Sequence, residues 1–204
     1  TGQILSSLVM TGMVIVMLAV SRASMQRIAE VLSTEPSMDT NEKGLTSVSD
    51  GSVRFSHVSF GYGKDSSVLS DIDFTIKSGD MVGILGTTGS GKTTLVSLIA
   101  RLYDASSGSV EVGGHDVREY NLTALREQVS VVLQKNTLFS GTVESNLRWG
   151  NPDATIDDMK WAMDVSAVST FINPDKEGLS GRVEQGGTNF SGGQRQRLCI
   201  ARAL

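Results

Sequence analysis

The chain has 204 residues, a formal net charge of −4 and a single cysteine. This length suffices for one ordinary domain with an extension, and the acidic balance argues against a broad nucleic-acid-binding surface. One cysteine excludes an internal disulfide framework and suits a reducing cytosol, and we expect Cys199, in a helical-looking segment, to be a buried structural thiol.

The N-terminal part of the chain is an uncharged apolar run. Residues 3–20 contain no ionised side chain, and Arg22 is the first one. About 18 apolar residues is the lower limit for a helix that spans a bilayer. Arg22 and Arg27 would place the end of such a helix on the cytoplasmic side. We therefore predict the end of a transmembrane helix, with a buried helix of a soluble domain as the alternative. Small residues that suit close helix packing in a membrane interrupt the run: Ser6, Ser7, Thr11 and Gly12.

Residues 33–52 are polar and without periodicity, which predicts a linker. Apolar residues then alternate over 53–60, with one irregularity, and over 72–76, which predicts two strands. Short apolar runs predict further strands at 81–85, 109–112 and 130–133, the first of them buried.

Helical patterns lie between these strands. Leu95, Leu98, Ile99 and Leu102 would share one face of a helix, and residues 157–168 predict another. Strands that alternate with helices predict an α/β domain, in which the early strands contribute an antiparallel portion.

Residues 86–93 read GTTGSGKT and match the phosphate-loop pattern G-x-x-x-x-G-K-[ST] in full. The glycines let backbone N–H groups point at phosphate oxygens, and the following helix adds the positive end of its dipole. Lys92 can reach the β and γ phosphates, and the Thr93 hydroxyl can ligate magnesium. The motif predicts a nucleoside triphosphate site formed by Gly86, Thr87, Thr88, Gly89, Ser90, Gly91, Lys92, Thr93 and Thr94.

Further segments of residues 53–204 resemble the motifs of ATP-binding-cassette (ABC) proteins, which are P-loop NTPases. The segment VSFGY resembles the adenine-stacking loop and implies that Tyr62 stacks on the base. VVLQ, followed by NTLFSGT, resembles the glutamine loop, in which Gln134 would help to coordinate magnesium and the attacking water. A third segment resembles the family's signature motif. It consists of Ser191, Gly192, Gly193 and Gln194, and Phe190 precedes it in place of the usual leucine. In that family, the signature closes over the ATP held by a partner subunit.

The resemblance implies a mixed sheet with an antiparallel β subdomain and a helical subdomain, truncated after the signature. It implies three segments: the end of the last transmembrane helix with its cytoplasmic extension (1–32), a linker (33–52) and the nucleotide-binding domain (53–204). The apolar run and residues 22–32 after it also resemble the end of the last membrane-domain helix in an exporter half-transporter. Glu184 would lie in the loop that exporters place near the membrane domain. The implied cofactors are ATP and Mg²⁺, and the implied location is the cell membrane, multi-pass, with the ATP-binding domain in the cytoplasm.

The implied partner is a second half-transporter, identical or different, and no nucleic acid is expected. The family's acidic strand, general-base glutamate and downstream histidine are not found in the chain, and His57 and His115 are not assigned to that role. We therefore expect negligible ATPase activity from these residues by themselves, with catalytic contributions from Lys92 and Gln134. Two alternatives remain: a soluble ABC-type ATPase of DNA repair or translation, and the regulatory ATP-binding half of a heterodimeric exporter with a degenerate site.

Overall fold

The computed structural model describes residues 2–36, 38–63, 66–173 and 178–204. The chain divides into two compact units, Thr1–Asp39 and Thr40–Leu204. The first unit contains the helix α1, Gly2–Leu32, none of whose residues is buried within the chain. Its 31 residues extend over roughly 46 Å, and it is long and apolar enough to cross a membrane.

The second unit contains a sheet of four strands: β1 (Val53–Phe60), β2 (Leu69–Ile76), β3 (Ser107–Val112) and β4 (His115–Asp116). Their order is β2-β1-β3-β4, and every pairing among them is antiparallel. The pairing of β1 with β2 shifts register on both sides of Val58, which confirms the predicted irregularity. Phe55 of β1 is fully buried and stacks on Phe74 of β2, with ring centroids 4.7 Å apart.

The first hydrophobic cluster forms where two helices pack against this sheet. They are α2 (Lys92–Ile99) and α3 (Leu122–Gln128), which contribute the buried Leu98 and Leu125. The Asn121 side chain caps α3 by accepting a hydrogen bond from the backbone N–H of Ala124. The sheet and the two helices therefore form two layers packed on each other. The N-terminus of α2 lies at the end of the phosphate loop.

The second hydrophobic cluster is mainly helical. It contains α4 (Val143–Leu147), α5 (Ile156–Val165) and α6 (Gly192–Ala203), a 3-10 turn at Val168–Thr170, and an antiparallel pair of two short strands that are distant in sequence, β5 (Gly141–Thr142) and β6 (Arg182–Val183). Capping boxes start all three helices, with Thr142, Thr155 and Ser191 as the N-cap residues. The helix predicted over 157–168 is confirmed as α5 followed by the 3-10 turn. Cys199 is only half-buried at the edge of this cluster, so the expectation of a buried thiol is wrong, and the partial burial raises the pKa of the thiol.

Two predicted strands are wrong. Residues 81–85 and 130–133 have no regular secondary structure, and Met81 and Leu85 are almost fully exposed. A parallel strand needs neighbouring strands to satisfy its backbone N–H and C=O groups and helices to cover both its faces. In the described part of the chain, the two sheets pair only among β1–β4 and between β5 and β6, so neither run has a partner. The helix predicted to include Leu102 is also shorter than expected, because Arg101 adopts a left-handed backbone conformation (φ +46°) after α2.

Part of the predicted linker is held against the second unit. The backbone N–H of Leu45 donates to the carbonyl of Glu119 at 2.9 Å, and the Leu45 carbonyl accepts from Asn121 at 2.9 Å. Farther along, the Gln128 side chain bonds the backbone of Val48 (2.9 Å) and Thr46 (3.1 Å). The boundaries 1–32, 33–52 and 53–204 stay a prediction, but the structure attaches residues 45–48 to α3 and the segment before it.

An exposed imidazole–carboxylate pair gives the sheet a pH-dependent contribution to stability. His57 Nδ1 lies 2.7 Å from Asp71 Oδ1, and both residues adopt left-handed backbone conformations. The hydrogen bond to Asp71, with the charges of Asp71 and Asp73, raises the pKa of His57 above 6.5. Because the folded-state pKa is the higher one, this stabilisation is fully present below the unfolded pKa and is lost as pH rises through the folded-state value.

We therefore expect the melting temperature to fall by more between about pH 6 and about pH 8.5 in the wild-type chain than in Asp71→Asn. Asparagine tolerates the left-handed conformation at position 71, so this variant removes the charge without straining the turn. Thermal melts followed by circular dichroism measure the difference, and an NMR titration of His57 locates its pKa. Identical pH dependence in the two chains would contradict the assignment.

Candidate functional site

Glycines at both ends shape the loop at 86–93. Gly91 is the residue before α2 and has φ +86°, which is favourable only for glycine. A Cβ atom there would lie 2.8 Å from the Leu69 side chain and 3.3 Å from the carbonyl of Val68. Gly89 has φ +84°, and a Cβ on Gly86 would meet the Ser90 hydroxyl at 2.6 Å. The loop is therefore closely seated against the start of β2.

The ammonium group of Lys92 closes over this loop. Its Nζ donates to the carbonyls of Gly86 (2.9 Å) and Thr87 (2.6 Å) and to the Ser90 hydroxyl (3.3 Å). The side chains of Thr87, Thr88 and Thr93 are exposed at the same place. A charged donor, exposed hydroxyls and the N-terminus of an eight-residue helix converge here, as anion binding requires.

Tyr62 and Thr94 meet beside the loop. The Tyr62 hydroxyl lies 3.0 Å from Thr94 Oγ1, and Thr94 is a buried residue of α2. The structure thus joins the predicted base-stacking ring to the helix that follows the phosphate loop. The Tyr62 side chain is 57% exposed, which leaves ring surface for a flat ligand. Because its hydroxyl lies within hydrogen-bond distance of the Tyr62 hydroxyl, Thr94 helps to fix the position of the Tyr62 ring.

The structure does not bring Gln134 to this group. Gln134 lies in a bend, and its side chain is exposed. Among the residues that the structure describes, no hydrogen bond connects it to residues 86–94. Farther along the chain, β5 follows at Gly141–Thr142, and Thr142 is the N-cap residue of α4. Its predicted roles toward magnesium and water stay predictions.

The signature residues start α6. Ser191 Oγ accepts from the N–H of Gln194 (3.3 Å), and Gln194 Oε1 accepts from the N–H of Ser191 (2.9 Å). Both side chains therefore form a capping box at the start of α6. Gly192 and Gly193 have no heavy atom within 4 Å of where a Cβ would lie. Phe190 packs against the second cluster, near the ring of Phe171, so the replacement of leucine keeps an apolar anchor.

The loop before the signature is tied together by side-chain bonds. Asn189 accepts from the N–H of Glu184 (3.1 Å) and donates to the carbonyl of Arg182 (2.8 Å). Thr188 donates to the Glu184 carboxylate (3.1 Å), which is otherwise exposed. Arg195 of α6 donates to the Phe190 carbonyl at 2.7 Å. The position of Glu184 is therefore linked to the first turn of α6 by a short chain of bonds.

The phosphate loop and the signature rest on different hydrophobic clusters. The helix α2 packs into the first cluster, and α6 packs into the second with α4 and α5. Within the described residues, no hydrogen bond or ion pair connects residues 191–194 to residues 86–94.

The sequence analysis did not assign a role to Tyr103, which lies beside Tyr62 with ring centroids 5.1 Å apart. It also missed a group of charged side chains formed by Arg101, Asp104, Asp116 and Arg118. Partial burial opposes ionisation of Asp116, but hydrogen bonds from Arg118 outweigh it and lower its pKa. One signal in the sequence could have pointed to Tyr103: the chain has three tyrosines in total, and Tyr103 is the one that follows α2.

Comparison with known proteins identifies relatives of this arrangement. The sequence profile of the ABC transporter family matches residues 69–204. A Mycobacterium tuberculosis protein named as an uncharacterized ABC transporter ATP-binding protein is 47% identical over the whole chain, which spans 36% of that protein. The multidrug efflux ATP-binding/permease protein of the same organism is 39% identical over 90% of the chain and 15% of its own length.

Among solved structures, a bacterial Atm1-family ABC exporter with ATP bound superposes with a TM-score of 0.80. The two are 30% identical, and the match covers 88% of this chain and 32% of the exporter chain. The chain thus spans about a third of the first relative and of this exporter, and a smaller share of the efflux protein.

Proposed function

Because the chain belongs to the ABC transporter family, we propose that it is the ATP-binding part of an exporter half-transporter. In this proposal, ATP binding and hydrolysis at the interface of two such domains drive export of a substrate across the membrane. The observation that carries the proposal is the loop at 86–93, where the Lys92 ammonium, three exposed threonines and the start of α2 converge next to the Tyr62 ring. The relatives named for efflux and the exporter structure support the direction of transport.

ATP would be divided between two chains. Lys92 and the N–H groups of residues 86–91 would hold the phosphates, and Tyr62 would stack on adenine. Ser191, Gly192, Gly193 and Gln194 would contact the ATP of a second half-transporter, since their exposed helix start suits a γ-phosphate. Thr93 and Gln134 offer a hydroxyl and an amide oxygen, which are ligands that Mg²⁺ accepts. When bound, the ion would neutralise phosphate charge.

The proposed location rests on α1. An exposed apolar helix of 31 residues that ends in a region with Arg22 and Arg27 fits a bilayer with its C-terminal end on the cytoplasmic side. We propose a multi-pass membrane protein with the ATP-binding domain in the cytoplasm. The first alternative, a soluble ABC-type ATPase, would differ from this proposal in its location. The second, the regulatory half of a heterodimeric exporter, would differ in its ATP turnover.

Membrane fractionation separates the proposal from the soluble alternative. We expect the chain to fractionate with membranes, to bind Mg-ATP in detergent, and to turn it over negligibly by itself, because no residue of the chain is assigned as general base. Isothermal titration measures binding, and phosphate release measures turnover. Recovery in the soluble fraction would contradict the exporter assignment. Robust ATP hydrolysis by a pure preparation would contradict the predicted inactivity.

A further inference from the structure

Three aromatic rings form one cluster beside the phosphate loop, and no motif assigns the third of them. The rings of Tyr62 and Tyr103 are perpendicular (86°) with centroids 5.1 Å apart. The Phe60 ring lies 5.0 Å from Tyr62, also perpendicular, and 5.6 Å from Tyr103. Phe60 is buried at the end of β1, whereas the other two rings are partly exposed. The base-stacking ring is therefore supported by two neighbours, one in the core and one at the surface.

We propose that Tyr103 is a positioning residue that fixes the Tyr62 ring for stacking on a purine base. The inference rests on the proposed function, since it concerns the same nucleotide. Perpendicular aromatic pairs are favourable because the electropositive edge of one ring meets the electronegative face of the other. The Tyr62 hydroxyl is held separately by Thr94 at 3.0 Å. Bonding at the hydroxyl and ring contacts at the side together restrict both the tilt and the rotation of the ring.

Tyr103 is itself held in place by a charged pair on either side of it in the sequence. Arg101 is 2% exposed, and its Nε and Nη2 donate to the Asp104 carboxylate at 2.8 and 3.4 Å. Two-point pairing of a guanidinium with a carboxylate is geometrically restrictive. The left-handed conformation of Arg101 turns the chain sharply before residue 103. Beyond it, the N–H of Ser106 donates to the Ser59 carbonyl of β1 at 2.9 Å.

This arrangement separates recognition of the base from recognition of the phosphates. Lys92 and the loop at 86–93 act on phosphate, whereas Tyr103 contacts Tyr62, and no hydrogen bond of the described residues connects Tyr103 to that loop. Loss of Tyr103 should therefore weaken a ligand that carries a purine and spare one that does not. Inorganic tripolyphosphate, which has the phosphates of ATP and no base, is the discriminating probe.

The experiment compares binding of ATP and tripolyphosphate by the whole chain in detergent, using isothermal titration. We expect Tyr62→Ala to weaken ATP about 5- to 150-fold, as loss of a base–aromatic stack does. Tyr103→Ala should weaken ATP by about 2- to 13-fold, the range of an aromatic pair. Neither variant should change tripolyphosphate binding, and Tyr103→Phe, which keeps the ring, should resemble the wild type.

The controls keep the inference falsifiable. Trp161→Ala removes another exposed aromatic ring, on α5, and should leave both affinities unchanged. Tyr103→Leu keeps side-chain bulk and replaces the alanine variant if that one fails to fold. Unchanged ATP affinity without the Tyr103 ring overturns the inference, and so does equal weakening of both ligands. If Lys92→Ala leaves both affinities at the wild-type value, the proposed function is overturned, and the inference with it.

Discussion

Replacing Lys92 by alanine is expected to weaken ATP binding by about 10- to 150-fold. A charge-assisted hydrogen bond contributes about 1.5–3 kcal/mol, and each 1.4 kcal/mol is a factor of ten in affinity. The ammonium already lies over the loop, 2.6–2.9 Å from two of its carbonyls, so little rearrangement is needed to reach a phosphate. Tripolyphosphate should be weakened to the same extent, because the lost contact is to phosphate.

Lys77→Ala is the matched control for this variant. Lys77 is an exposed lysine that follows β2, and its removal changes the net charge equally. We expect ATP affinity to be unchanged in Lys77→Ala and both variants to keep the wild-type melting temperature within a few degrees. Isothermal titration with Mg-ATP measures the affinities. An unchanged dissociation constant in Lys92→Ala would remove the basis for the nucleotide site.

Replacing Gly193 by glutamate is expected to change stability and function in opposite directions. Gly193 is in the first turn of α6, and a Cβ atom there would have no surrounding heavy atom within 4 Å. Losing a glycine inside a helix stabilises by about 0.4–1 kcal/mol, and a carboxylate near a helix N-terminus adds about 0.3–1 kcal/mol. The same carboxylate would repel the γ-phosphate of the partner's ATP. ATP-driven pairing of two half-transporters should therefore be lost.

Thermal unfolding of the chain and sedimentation of the intact half-transporter with Mg-ATP measure these two effects. Gly91→Ala is the informative contrast, because its left-handed φ and the close Leu69 side chain require glycine for the fold. That variant should lose stability and ATP binding together. If Gly193→Glu pairs as the wild type does, the signature does not contact a partner's nucleotide.

The sequence predicted those structural elements that are determined by residues a few positions apart. The alternation of apolar residues predicted β1 and β2, and the phosphate-loop motif predicted where Lys92 lies relative to α2. Each of these depends on residues a few positions apart, so the sequence carries the information directly.

Features that depend on distant partners were not predictable. The apolar runs at 81–85 and 130–133 resemble buried strands, but a strand exists only where another strand pairs with it. The ring contact between Tyr62 and Tyr103 joins positions 41 apart in the numbering of the chain. The two-residue strands β5 and β6 are too short to leave a pattern, and the polar segment around Leu45 gave no sign that it bonds the backbone near Glu119.

The separation of the phosphate loop and the signature onto two hydrophobic clusters has a consequence for local unfolding. A ligand stabilises the segment that it contacts, by mass action, and cooperative units of a domain open with different free energies. ATP on the phosphate loop would raise the opening free energy of the β-sheet cluster and leave that of the helical cluster nearly unchanged. The helices that carry the signature would then gain protection against opening only when the nucleotide of a second molecule is in place.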